Sequence, residues 1–298
     1  MGGAKKVEKA VRATPRRSAG KSGSVKKKTV QKRSPQKKPV NHRPKSPTWR
    51  TDLSIIQELR AVRDAPVDIV GCERLADPGA SQKDFEWQCL VAAMLSSQTK
   101  DQMNAEAMAA LSAHGNTVER IAQTAEKKLD CLIAKVGFHS TKAKNLRAAA
   151  RICLEQHKGR VPQTLDGLMA LPGVGPKMAH LTLHAAFGNQ VGLCIDTHIH
   201  RIANSLGWVE TKSPEETRVA LESWLPREYW QDFNVLLVGL GQMQQQRAET
   251  LVERCLRSSR PVPALKLVAR IGLQLRSGKF PELDAAARAR PSIRGILL

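Results

Sequence analysis

Apolar residues recur along most of the chain with the three-to-four-residue spacing of α-helices. The first apolar stripe consists of Leu53, Ile56, Leu59 and Val62. A densely apolar helix, opened by Asp84, follows from Phe85 to Leu95. The alternation with period two that strands require, bounded by turn residues, is not found. The pattern therefore predicts an all-α fold built from short helices.

Further helices are predicted in the middle of the chain. Their apolar periodicity covers residues 105–111, 129–136, 140–157 and 164–171. Ser213, Pro214 and Glu216 form a capping box with proline at the first helical position. We expect a helix to begin there and to end near Leu225.

The charge of the chain is concentrated at its amino end. The 298 residues carry a net charge of +21, of which +16 lies in residues 1–50, where Glu8 is the single acid. This stretch has little to bury, so we expect a disordered basic tail. Its lysine runs suit a nuclear address or an arm that tethers DNA, whereas a solvated tail without function is the alternative. Nucleic acid is the leading partner, ahead of an anionic membrane surface.

The cysteines and the hydropathy pattern narrow the class of protein further. The six cysteines are scattered without a CxxC pair, which favours reduced thiols over disulfides or a zinc site. No apolar run reaches the roughly 18 residues that span a bilayer. The amino terminus also lacks the apolar stretch of a secretory signal. We therefore expect an intracellular protein that does not enter the membrane.

The sequence LPGVGPK at residues 171–177 is the first motif with chemical content. Gly173 and Gly175 permit a hairpin between two helices, and Pro176 suits the first position of the second helix. Such a turn can bind a DNA phosphate through backbone N–H groups, although a turn without function is an alternative. Lys177 follows in the first helical turn, where the dipole and partial burial are expected to lower its pKa. A neutral lysine amine is a nucleophile, whereas an ordinary lysine is a solvated cation.

The sequence CIDTHIHR at residues 194–201 is the second motif. Asp196 suits the N-cap of a helix, and a capping carboxylate can also face a cleft and take part in chemistry. His198 and His200 are spaced like metal ligands, but no third ligand stands at a zinc-like spacing. We expect core or DNA-facing histidines and no metal.

Three ordered motifs give residues 51–242 a resemblance to the endonuclease III family of DNA glycosylases, in its eukaryotic branch. They are LSSQTKD at residues 95–101, LPGVGPK at 171–177 and IDTHIHRIAN at 195–204. The resemblance implies a bifunctional DNA N-glycosylase and abasic-site lyase that initiates base excision repair of oxidised pyrimidines in double-stranded DNA. Lys177 then matches the nucleophile that forms a Schiff base, and Asp196 matches its electrostatic or acid–base partner.

The same resemblance implies two helical domains with the active site in the cleft between them. We expect a second helical domain from residues 51–82 and 194–242. A six-helix barrel occupies residues 83–193 and contains the helix-hairpin-helix motif at about 164–187. Residues 243–298 form an atypical basic C-terminal tail that resembles nothing in the family, and the sequence leaves open whether it folds.

The resemblance also implies the residues that meet DNA. Gln98 matches the residue that enters the gap left by an extruded base, and Phe138 falls where the family has an apolar wedge. A loop amide and a core phenylalanine are the respective alternatives. The remaining expected DNA contacts are Lys100, Gly173, Val174, Gly175 and His198. Ser205 stands where relatives often have a basic residue, which weakens one expected phosphate contact.

The chain departs from the family after Gly241 and Gln242. Relatives continue with four cysteines that bind a [4Fe-4S] cluster, but here the residues are Met243 to Arg247, and only Cys255 follows. One thiolate cannot hold a cluster, so we predict no cofactor.

Two other functions stay open. The missing cysteines are compatible with a catalytically idle helix-hairpin-helix DNA-binding protein, which would need neither Lys177 nor Asp196. An 8-oxoguanine-type purine glycosylase would share both residues, and LSSQTKD favours the pyrimidine branch over it. We expect the nucleus as the location, with the mitochondrion second.

Overall fold

The computed structural model describes residue 44 and residues 46–297, and every regular element in that part of the chain is helical. This confirms the all-α prediction. No helix in the described ranges is long and apolar enough to cross a membrane. The predicted disorder and address function of the basic tail concern residues that lie almost wholly outside the described ones.

Sixteen α-helices and two short 3₁₀ helices follow one another in the described residues. The α-helices are α1 (Trp49–Leu59), α2 (Pro66–Val70), α3 (Gln82–Ser96), α4 (Asp101–His114), α5 (Val118–Gln123), α6 (Glu126–Leu132), α7 (His139–His157), α8 (Leu165–Met169), α9 (Pro176–Phe187), α10 (Thr197–Ser205), α11 (Pro214–Glu222), α12 (Trp230–Gln246), α13 (Ala248–Arg257), α14 (Pro261–Arg270), α15 (Pro281–Ala289) and α16 (Pro291–Arg294). The 3₁₀ helices are Cys72–Arg74 and Arg227–Tyr229.

Several helix starts follow from local capping. The Ser213 hydroxyl accepts a hydrogen bond from the Glu216 N–H, and Pro214 occupies the first turn of α11, which confirms that predicted start. The Ser81 side chain caps α3 in the same way, so this helix begins at Gln82, three residues before the predicted start at Phe85. Side-chain oxygens thus satisfy N–H groups that a helix cannot pair internally.

The amino-terminal boundary differs from the prediction at two points. Helix α1 begins at Trp49, so the tail expected over residues 1–50 ends at least two residues earlier. Trp49 is buried because its ring packs 5.2 Å from that of Trp224, centroid to centroid. Helix α1 ends at Leu59, and Val62, which we assigned to its apolar stripe, is 61% exposed.

The buried apolar residues form two large clusters. The first core contains side chains from Trp87 to Leu183 and is lined by α3 to α9. The second core contains side chains from Trp49 to Ala65 and from Leu193 to Ile293. These clusters support the two-domain division, which we continue to propose.

The C-terminal segment, defined here as residues 247–297, is folded onto the second core. Its helices α13 to α16 bury residues such as Leu251, Leu265 and Phe280, each at most 1% exposed. The sequence had left open whether this segment folds. Its apolar positions complete the same core that α1 and α10 to α12 line.

Candidate active site and DNA-facing surface

The motif at residues 171–177 forms the turn between α8 and α9. The Thr164 hydroxyl accepts from the Gly167 N–H and starts α8. Gly175 is the N-cap of α9, and Pro176 lies in its first turn. No side chain caps this helix, so its first N–H groups and its positive dipole end are available to an anion.

The residues of this turn have different roles. Gly173 has a φ of +78°, and an added Cβ would overlap Asn145 Nδ2 on α7, so glycine is required here. Gly175 has a φ of −99° and open space around it, and thus needs no special backbone freedom, contrary to our expectation. The Val174 side chain is buried in the first core, and its N–H donates to Leu171 O, at 3.2 Å. The side chain and the backbone N–H of Val174 therefore both make contacts within the protein.

Lys177 lies in the first turn of α9, near the side chains of two acids and two cysteines. Burial acts to lower its pKa, but Cys194, Asp196, Cys72 and Asp101 outweigh burial and raise it above its ordinary value. Because burial raises the pKa of the Cys72 thiol to about 12 and that of Cys194 still further, both thiols stay protonated at neutral pH. The two carboxylates therefore supply the negative charge near the amine.

The raised pKa of Lys177 corrects our expectation of a lowered one. The helix dipole and burial both disfavour the ammonium form. The neighbours Cys194, Asp196, Cys72 and Asp101 act in the opposite direction, and Asp101, which is distant in sequence, comes near only through folding. Lys177 is therefore an ammonium group in the free protein at neutral pH, and it must lose a proton before it can attack.

Asp196 is the N-cap of α10. Its Oδ1 accepts a hydrogen bond from the Ile199 N–H, at 2.8 Å, so the capping interpretation is confirmed. The same carboxylate contributes to the raised pKa of Lys177. A cap of this kind holds the carboxylate in place, because the residue belongs to a helix end and its oxygen is tied to the backbone.

Asp101 is a site residue that the sequence analysis did not single out. Burial raises its pKa, against a hydrogen bond from Gln242 Nε2 at 2.7 Å and the charge of Lys177. Gln242 Oε1 also accepts from the Val67 N–H at 2.9 Å, which joins α12 to α2. Asp101 is the last residue of the LSSQTKD motif and the first residue of α4. An acid in a first helical turn is ordinary, so its position in the sequence did not indicate a role in the site.

The two histidines of the second motif lie in different surroundings. His198 is partly buried and packs so closely on Gly241 that an added Cβ there would overlap its ring. It also lowers the pKa of Asp101, which places it near the two acids. His200 Nδ1 instead bonds with Thr217 Oγ1 at 2.7 Å, a contact within the second helical cluster.

Gln98 and Phe138 come together on one surface. Both have left-handed backbone angles, with φ of 50° and 56°. Gly137 brings them together, because an added Cβ at this glycine would overlap Gln98 O. Phe138 is 66% exposed, which excludes the interpretation as a core residue. Lys100 is also exposed and precedes α4.

The residues after Gly241 do not fit the iron–sulfur cluster that the family resemblance implies. Cys255 is the single cysteine after Cys194 in the sequence. Its side chain is fully buried in the second core, and burial raises its pKa to about 12, so it stays a thiol. Four thiolates are needed for such a cluster. Among the described residues, no group of three or more His, Cys, Asp or Glu side chains is arranged to hold a metal ion.

The helical turn, Lys177 and Asp196 lie within a stretch of the chain that matches a known family model. A family model for the HhH-GPD superfamily base excision DNA repair protein matches residues 91–227. The fold is also similar to a solved structure described as a non-covalent endonuclease III–DNA complex. The TM-score is 0.55 at 24% identity, over 74% of this chain and 92% of that one.

The curated relatives narrow the class to one family. The chain is 51% identical over 196 residues to endonuclease III-like protein 1 of Bos taurus, covering 65% of this chain and 64% of that protein. It is 46% identical to the Gallus gallus protein of the same name, covering 65% and 70%. The chain therefore belongs to the endonuclease III family, as the sequence motifs predicted. Its match spans slightly less than two thirds of the bovine relative.

Proposed function

We propose that the chain is a bifunctional DNA glycosylase and abasic-site lyase that initiates base excision repair of oxidised pyrimidines. The observation that carries this proposal is the position of Lys177, in the first turn of α9 with the charges of Asp196 and Asp101 acting on its amine. Plain DNA binding requires no such arrangement. Membership of the endonuclease III family supports the same reaction class.

In the proposed reaction, Lys177 first loses its ammonium proton. Its Nζ then attacks C1′ of the damaged nucleotide, the C1′–N bond breaks, and the base leaves with the bonding electrons and takes up a proton. The sugar ring opens to give a Schiff base between Nζ and C1′. Removal of a C2′ proton then expels the 3′ phosphate by β-elimination and nicks the strand.

Asp196 is the proposed electrostatic partner of this sequence. A carboxylate near C1′ stabilises the positive charge that develops on the sugar, and it accepts or relays the proton that Lys177 releases. Asp101 adds a second negative charge from α4. None of these steps requires a bound cofactor.

The proposed DNA contacts surround this cleft. A damaged base must leave the stack to reach Lys177, and the exposed Gln98 and Phe138 are the proposed residues that fill the gap it leaves. The turn, with Gly173 exposed and Gly175 partly exposed, holds a phosphate at the start of α9. Lys100 and His198 complete the proposed contacts, whereas Val174 supports the turn from inside the protein. We keep the nucleus as the proposed location, with the mitochondrion second.

Borohydride trapping tests the proposal. The protein is incubated with duplex DNA that holds one thymine glycol or one abasic site, and the Schiff base is reduced to a stable adduct. We expect an adduct with the unaltered chain and none with Lys177→Gln. Duplex binding without an adduct on either substrate would favour the idle binding protein. Faster excision of 8-oxoguanine than of thymine glycol would favour the purine enzyme.

A further inference from the structure

Lys142 is a buried lysine that the proposed chemistry does not use. It lies on α7 and is only 7% exposed. Its amine donates hydrogen bonds to Leu95 O at 2.7 Å, to Ser97 O at 2.6 Å and to Thr99 Oγ1 at 3.0 Å. All three acceptors are uncharged, so this lysine is held by dipoles rather than by a carboxylate.

The acceptors belong to the stretch of chain that presents Gln98. Helix α3 ends at Ser96 and α4 begins at Asp101, so a loop of four residues joins them. The Lys142 amine binds the residue on each side of Gln98, which itself has a φ of 50°. A non-glycine residue in this region is costly unless its surroundings fix it, and the lysine provides that fixation.

The same network reaches Phe138. Thr99 Oγ1 accepts a hydrogen bond from the Gly137 N–H at 3.2 Å as well as the one from Lys142. The Phe138 residue that follows has a φ of 56° and an exposed ring. One hydroxyl therefore ties the Gln98 loop to the turn that carries Phe138.

We propose that Lys142 is a positioning residue for opening the DNA duplex. Its ammonium group fixes the loop of residues 97–100 against the turn at Gly137, so that Gln98 and Phe138 meet the DNA as one preformed wedge. This inference rests on the proposed function, in which these two side chains fill the gap left by an extruded base. A preformed wedge is favourable because the ordering of two strained segments does not have to occur during base extrusion.

The charge state of Lys142 agrees with this role. Burial lowers its pKa to about 8, so the ammonium form still predominates at pH 7. An ammonium group has three hydrogens, and the end of α3 and the loop together offer three acceptors, whereas arginine or methionine cannot reproduce this compact geometry in full.

The experiment separates duplex opening from chemistry. One readout is the fluorescence of 2-aminopurine placed beside a tetrahydrofuran abasic analogue in a duplex, which rises when the neighbouring stack opens and needs no reaction. The other is borohydride trapping on a single-stranded oligonucleotide with one abasic site, where no stack has to open.

We expect Lys142→Met to weaken duplex opening by about tenfold, the effect of losing about one charge-assisted hydrogen bond. Trapping on the single strand should stay within about twofold of the unaltered chain, because Lys177 is untouched. Lys142→Arg should restore part of the fluorescence rise. Lys144→Met, at an exposed position of the same helix, is the matched control and should change neither readout.

A second variant covers the case in which Lys142→Met does not fold. Thr99→Val removes the shared hydroxyl but keeps the shape of the side chain and the buried amine. It should also reduce duplex opening more than single-strand trapping.

The outcomes distinguish this inference from the proposed function. Equal losses on both readouts would make Lys142 a general structural residue, and full duplex opening by both variants would also overturn the inference. Failure of the unaltered chain to form any adduct would contradict the proposed function, while the fluorescence readout would still decide the role of Lys142.

Discussion

The two cores of the molecule are assembled in different ways. The first core is built from one continuous stretch, residues 87–183, which also supplies Lys177. The second core is built from both ends of the described chain, residues 49–65 and 193–293. The helix that carries the proposed nucleophile therefore rests on one continuous stretch of sequence, whereas the helix that places Asp196 depends on segments far apart in the chain.

Polar contacts add to the apolar packing that attaches the C-terminal segment to the amino-terminal part. Arg254 donates to Leu59 O at 3.2 Å and pairs with Asp64 at 2.8 Å, and Arg247 pairs with the same carboxylate at 2.9 Å. Arg270 contacts Asp52, which also accepts from Trp208 Nε1. The second core of this chain is thus closed by apolar helices together with arginine–carboxylate pairs.

Removal of residues 248–298 should have the largest effect on the second core. Each buried side chain in α13 to α16 contributes about 1.5–3 kcal/mol, and domains have a net stability of only about 5–15 kcal/mol. We expect the second domain to lose its cooperative unfolding transition, measured by circular dichroism, while part of the helical signal of the first core persists. An unchanged melting curve would show that the segment does not complete this core.

A buried phenylalanine and an exposed one, each replaced by alanine, sharpen the comparison. Phe280 is 1% exposed, so Phe280→Ala should reduce the free energy of unfolding by about 3–5 kcal/mol. Phe138 is 66% exposed, so Phe138→Ala should change it by less than about 0.5 kcal/mol. Denaturant titration measures both values, and excision of thymine glycol from duplex DNA should fall only for Phe138→Ala once both proteins are fully folded. Similar stability losses for the two variants would contradict the assignment of Phe138 to the surface.

Asp101→Asn should alter the pH dependence of the chemistry in the cleft. Asp101 raises the pKa of Lys177, so its neutral replacement lowers that pKa and makes the free amine available at lower pH. We expect the rising limb of single-strand trapping against pH to move to lower pH. Asp166→Asn, an exposed acid on α8, is the control and should leave the limb in place. A shift toward higher pH with Asp101→Asn would reverse the sign of the electrostatic argument.

The smallest expected effect concerns Asp64, between the amino-terminal part and the C-terminal segment. Burial acts to raise its pKa, but hydrogen bonds and charges from Arg254 and Arg247 lower it overall. Its contribution to stability is therefore complete above the unfolded value of about 3.9 and is lost as pH falls through the lower folded pKa. The carboxylate is partly exposed, so the contribution is below about 1 kcal/mol.

Thermal melts of the unaltered chain and of Asp64→Asn should therefore differ by a small constant amount at pH 5–7. The difference should begin to shrink below about pH 4 and should close as pH falls through the lower folded pKa. A difference that persists unchanged at pH 3 would show that the charge of Asp64 does not stabilise the fold.

The sequence predicted the parts of this molecule that depend on residues close together in the chain. The turn of residues 171–177, the cap at Asp196 and the start of α11 all follow from neighbouring residue types. The helices of the C-terminal segment were missed, although Pro261, Pro281 and Pro291 stand in the first turns of α14 to α16. Their short apolar patterns gain a core only by packing with α1, α12 and one another.

The sequence could not predict interactions between distant segments. Asp101 lies 76 positions before Lys177, and its effect on the lysine pKa requires the packing of α4 near α9. Lys142 looked like one of many lysines in a basic chain, because its acceptors lie more than 40 residues away. Asp101 and Lys142 are polar residues whose roles depend on their burial. The apolar pattern of their own helices does not reveal that burial.

Mass-spectrometric mapping of the trapped adduct tests the central claim most directly. The unaltered protein is reduced with borohydride on abasic DNA, digested, and sequenced to locate the lysine that carries the sugar remnant. We predict that the remnant is on Lys177, in the peptide that opens α9. A remnant on another lysine, such as one in the basic amino-terminal stretch, or the absence of any modified lysine, would contradict the proposed active site.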